Sequence, residues 1–137
     1  MAGQMHFLRD ASPPMILALS LLAACSGPPA ASLSSTAAVG LSSASAGLCS
    51  ALAALPDTTA AARTFTNFAH GELHVLAAEQ DLDRSLQAAV LQAMLQVEED
   101  IRQGAGAGSL FSDLTALKRW TDESLQALDV EVPACAG

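Results

Sequence analysis

An all-α fold, a small antiparallel helical bundle of three long helices plus a short N-terminal one, is predicted by three features of this 137-residue chain. From Gly47 onward, apolar residues recur at intervals of three and four, the repeat of a helix face. Pro56, Asp83 and the run Gly104-Ala105-Gly106-Ala107-Gly108 punctuate that pattern; such residues stop or cap helices. No alternating run of β-branched residues signals a sheet, and the only valine-rich stretch is Val130-Glu131-Val132.

Each element follows from local chemistry. Leu48, Leu52 and Leu55 sit at helical spacing and Pro56 stops them, which predicts the short first helix. Asp57 is placed to cap a second helix carrying Phe65, Phe68, Ala69, Leu73 and Leu76 on one face as far as about Gln80. Gly71 inside that helix costs up to about 1 kcal/mol relative to alanine, which indicates close packing or a bend there. Asp81 or Asp83 caps the third helix, where Leu82, Leu86, Val90, Met94, Val97 and Ile101 form the strongest stripe in the chain. The glycine-rich run ends it. The fourth helix is expected from Ser109 or Ser112, with Leu110, Leu114, Leu117, Leu125 and Leu128 on one side. Val130 to Pro133 then leaves the helix and delivers Cys135. Short connections between amphipathic helices favour antiparallel neighbours.

The N-terminal part reads differently. Met15 to Ala24 is apolar but spans only about 15 Å as a helix, half of a bilayer's hydrocarbon core of about 30 Å. It closes on Leu22-Ala23-Ala24-Cys25, which resembles the lipobox of bacterial lipoproteins. The resemblance implies a signal peptide over 1–24 and an acylated Cys25, palmitate included, as mature N-terminus. It also implies an extracytoplasmic protein held to the cell membrane by lipid. The chain has three cysteines. With Cys25 acylated, Cys49 and Cys135 remain as one disulfide pair closing the helical domain; the alternative is two isolated buried thiols. Such a bridge would stabilise by roughly 4–5 kcal/mol in the chain-entropy treatment. Ala/Leu-rich helices between those cysteines, with Phe65-x-x-Phe68-x-His70-x-x-x-His74-x-Leu76-Ala77 among them, resemble small cysteine-bracketed helical lipoproteins of high-GC bacteria. That group has no assigned activity, so no catalytic residue carries over.

Ser26 to Gly47 is rich in Ser, Ala, Gly and Pro and nearly uncharged. It reads as a lipid-anchored flexible linker over 25–47, about 26 Å long on average, ahead of a helical domain over 48–137. After Cys25 there are five basic and thirteen acidic residues. A net charge of −8 repels a phosphate backbone and an anionic leaflet alike, which excludes nucleic acid and leaves lipid as the membrane attachment.

Few residues suggest site chemistry. His70 and His74 stand at i and i+4, a spacing that lets two imidazoles ligate zinc, copper or nickel with a carboxylate completing the site. Glu72, Glu79 and Asp81 are near in sequence, while Glu98, Glu99 and Asp100 approach only through the fold. The zinc-protease pattern His-Glu-x-x-His is absent, and His6 leaves with the signal peptide. Glu98-Glu99-Asp100 is expected on a solvated face, partly offset by Arg102. Trp120, beside Lys118 and Arg119, is expected to complete the core; the alternative is an exposed recognition spot. Gly-x-Ser-x-Gly is missing, and the glycine run lacks the Lys-Ser/Thr of a phosphate loop; no cofactor-binding motif is present. The expectation is a non-enzymatic, lipid-anchored binding or assembly module whose partner is an envelope protein. The alternative is a metal-binding or metal-delivery lipoprotein using His70 and His74.

Overall fold

A computed structural model describes residues 33–136. The expected signal peptide over 1–24, Cys25 and the first part of the expected linker lie outside the described residues. Five helices make up the rest, α1 (Ser35–Ala54), α2 (Thr58–Phe68), α3 (His70–Ala77), α4 (Arg84–Gln103) and α5 (Ala107–Ala127), with no strand among the described residues. Helix α1 packs against α2, α5 and α3, while α4 packs against α5 and α3.

The first helix corrects the linker boundary. Residues 35–47 are helical, and α1 is 20 residues long instead of short. Ser34 caps it, its hydroxyl accepting from the Ala37 N–H at 3.2 Å. Leu41, Ala44, Leu48 and Ala51 are all buried, at spacings of three and four. The serines that resemble linker composition make specific bonds here. Ser45 Oγ donates to Asp122 Oδ1 at 2.8 Å and Ser42 Oγ to the Glu131 carbonyl at 3.0 Å. Small side chains let backbones approach, so this composition serves packing. Over one 18-residue window α1 has a mean hydropathy of 1.5, long and apolar enough to cross a membrane by length and composition. Buried core helices meet the same description, and Cys49 within α1 is bridged to the C-terminal tail.

The expected single helix over 57–80 is broken in two. Asp57 caps α2 as expected, accepting from the Ala60 N–H at 2.9 Å. At Ala69 the backbone leaves helical geometry (φ −124°, ψ −44°) and restarts as α3. The bend therefore falls at Ala69, two residues before Gly71, and a Cβ at Gly71 would meet nothing within 4 Å. Close approach occurs elsewhere: a Cβ at Gly47 would lie 2.5 Å from the Phe68 carbonyl oxygen. Phe65, Ala69, Leu73 and Leu76 are buried as expected, but Phe68 is 64% exposed. Its backbone meets α1 at Gly47.

Helix α4 matches its stripe. Leu82, Val90, Met94 and Val97 are buried, and Leu86 and Ile101 pack against them. Asp83 caps it, its carboxylate accepting from the Ser85 N–H at 2.7 Å. Gly104 takes the left-handed conformation (φ 68°) that ends the helix, and the Ala105 N–H closes on the Asp100 carbonyl at 2.9 Å. Helix α5 starts at Ala107 with Gly106 as its cap residue, earlier than Ser109 or Ser112, and without a side-chain cap bond. Leu110, Leu114, Leu117 and Leu125 are buried, with Thr121 and Ser124 between them. Both hydroxyls are satisfied one turn back, on the Leu117 and Trp120 carbonyls at 2.8 Å each. Trp120 is half-buried against the core, and the Arg119 guanidinium lies 4.6 Å from its ring centroid.

The tail returns to α1. Val130 is buried and its N–H reaches the Leu125 carbonyl at 2.9 Å. Cys135 is bonded to Cys49, with Cα atoms 5.2 Å apart and the partners 86 residues apart in sequence. The expected disulfide is present.

Candidate metal centre

Helix α3 places His70 and His74 one above the other, because residues four apart share a helix face. The break at Ala69 sets the direction of that face. Its neighbour is α4, which presents Glu98. Nε2 of His70 lies 2.7 Å from Glu98 Oε1 and 3.3 Å from Nε2 of His74. One ligand atom from each of the three falls within 4.8 Å of the other two, the only such group of three among the described residues. The imidazoles meet edge to face, with centroids 4.6 Å apart, and the Phe65 ring braces His70 at 5.5 Å from the core side. Side chains of His70 and Glu98 are about one-third exposed, at 32% and 36%, and His74 is exposed. The centre is thus anchored inside and open outside.

The remaining acids distribute differently from expectation. Glu98, Glu99 and Asp100 do not form one solvated face. Glu99 faces solvent and pairs with Arg102 and Gln103; the Arg102 guanidinium holds its carboxyl below the usual range. Asp100 is buried, 7% exposed, and accepts from Ser109 Oγ at 2.7 Å. Consecutive helix residues point about 100° apart, so three adjacent acids reach three environments. Of the other acids near His70 in sequence, the Glu72 carboxylate lies toward Gly40 of α1. The Glu79 carboxylate accepts from the Asp81 N–H. Neither joins the histidines.

Asp113 on α5 faces Asp100. Burial, and then the adjacent Asp100 carboxyl, push its pKa up. A raised folded-state pKa adds stability below the unfolded value, and that stability is lost as pH rises through the folded one. Asp113→Asn is therefore expected to raise the melting temperature at neutral pH, with the advantage shrinking below about pH 4. Thermal melts of both proteins at the two pH values check this; equal differences at both would remove the carboxylate pair as the cause.

Neither family models, nor curated proteins, nor solved structures yield a match to this chain. The class its described residues define is an all-α domain with one disulfide.

Proposed function

We propose that this chain is an exported, lipid-anchored module of the cell envelope. Its antiparallel helical bundle is held at the membrane by acylated Cys25 and works by binding, without catalysis. The observation that supports this reading is the Cys49–Cys135 bridge. It accounts for two of three cysteines and leaves Cys25, the residue that follows Leu22-Ala23-Ala24, as the odd one. Disulfides persist in oxidising compartments outside the cytoplasm, where a lipobox would send the chain. The acidic surface argues for lipid as the means of attachment, and the partner in this reading is an envelope protein.

Intact mass spectrometry of the protein from its native envelope tests the reading. The expected species begins at Cys25, carries acyl chains and is two hydrogens lighter than its reduced form. Cys25→Ala is expected to move the protein out of the membrane fraction. A full-length mass with three free thiols would overturn the proposal.

A further inference from the structure

Three donor atoms meet where α3 faces α4, and protons alone leave them in conflict. His70 Nε2 has two partners, Glu98 Oε1 at 2.7 Å and His74 Nε2 at 3.3 Å. A ring nitrogen carries either a hydrogen or a lone pair. With a hydrogen, His70 Nε2 donates to the carboxylate and has no lone pair for His74. With a lone pair, it accepts from His74 and turns that pair against the carboxylate oxygen. With hydrogens on both histidine nitrogens, two donors abut. No assignment gives both contacts a hydrogen bond of their own; at best one His70 hydrogen is shared between the carboxylate oxygen and the His74 lone pair. A cation shared by three lone pairs removes the conflict.

We propose that His70 Nε2, His74 Nε2 and Glu98 Oε1 form a binding site for a divalent transition-metal ion of the zinc, copper(II) or nickel(II) class. The distances are close to what such an ion needs. Tetrahedral bonds of about 2.0–2.1 Å separate neighbouring donors by about 3.3 Å, and the two imidazole nitrogens already stand 3.3 Å apart. The His70–Glu98 edge, at 2.7 Å, opens by about 0.6 Å to reach the tetrahedral spacing. Glu98 is 36% exposed and has room to turn. The histidines lie on one rigid helix, so the carboxylate is the part that adjusts.

The donor set selects the ion. Two imidazoles and one carboxylate suit borderline ions, whereas calcium and magnesium take six or more oxygens. No thiolate joins the group, which disfavours copper(I). Three protein donors leave a coordination position on the open side, beside exposed His74. A closed structural zinc site fills all four positions from the protein; this one does not, which suits an ion that is taken up and passed on. The site is independent of the anchor and stands whether or not Cys25 is acylated.

The test uses the chain from Cys25 onward, free of any polyhistidine tag and stripped of metal, titrated with zinc, copper(II) or nickel(II) salt alone. Calorimetry is expected to give one ion per chain. The copper(II) form is expected to show coupling to two nitrogens by electron paramagnetic resonance. His70→Ala/His74→Ala is expected to abolish binding, Glu98→Gln to weaken it at least about tenfold, and Glu99→Gln to leave it unchanged. His74→Ala alone, at an exposed position, keeps the test open if the double variant does not fold. Binding that survives loss of both histidines, or no ion retained at micromolar concentration by the wild type, would overturn the proposal.

Discussion

Replacing Cys49 and Cys135 together by serine is expected to cost the domain roughly 4–5 kcal/mol. For a domain of about 100 residues that corresponds to a fall in melting temperature of roughly 20–30 °C. The size follows from where the bridge sits. It joins the C-terminal half of α1 to the tail beyond α5, 86 residues apart in sequence, so its loss frees the loop that holds α2 to α5 to expand when unfolded. Domains of this size hold only about 5–15 kcal/mol in total, and one bond therefore supplies a large share. The tail's other ties are buried Val130, Val132 packed against the core, and the Ser42 hydroxyl on the Glu131 carbonyl at 3.0 Å. Thermal melts of the wild type with and without reductant, beside the double serine variant, measure the effect. A drop below about 5 °C would mean that helix packing alone carries the fold.

Gly47→Ala is expected to destabilise by about 1–3 kcal/mol, the usual cost of forcing extra volume into a packed contact. Helix propensity predicts the opposite sign, since alanine is favoured over glycine by about 1 kcal/mol within a helix. Sterics decide it. The added Cβ would lie 2.5 Å from a backbone oxygen and 2.7 Å from its carbon, neither of which is the free end of a flexible side chain. Gly71→Ala supplies the contrast: its Cβ enters open space, and propensity is expected to win by roughly 0.5–1 kcal/mol. Urea denaturation midpoints of the two variants should move in opposite directions. Two stabilised variants would show that α1 and the α2–α3 break are not held in contact.

What the sequence made legible follows the strength of each local pattern. The α4 stripe from Leu82 to Ile101, the Asp57 and Asp83 caps and the left-handed stop at Gly104 were all readable, because periodicity and capping act within a few residues. The N-terminal half of α1 was not. Its Ser/Ala/Gly composition resembles a tether, and only the spacing Leu41, Ala44, Leu48, Ala51 marked a buried face. Small residues are ambiguous in this way: they suit disorder and close helix contact equally, and partners distant in sequence decide between them. Gly71 is the conspicuous glycine of the expected second helix, yet the break is at Ala69 and the close approach is at Gly47. Both depend on α1 lying alongside. Of the candidate centre, His70 and His74 could be paired by helical spacing alone. Glu98 could not be singled out from Glu99 and Asp100 without the packing of α3 on α4, which assigns those three acids to a histidine, an arginine and the interior.

The bridge also determines how the domain bears mechanical load. A pull between its two ends travels down α1 only as far as Cys49, crosses the sulfur–sulfur bond and leaves through Cys135. Helices α2 to α5 lie within the shunted loop and carry none of that tension. Cleaving the bond places the 86-residue span in series, adding on the order of 300 Å of contour length. An oxidised domain thus behaves under force as a short, stiff link, and a reduced one as a long, yielding chain.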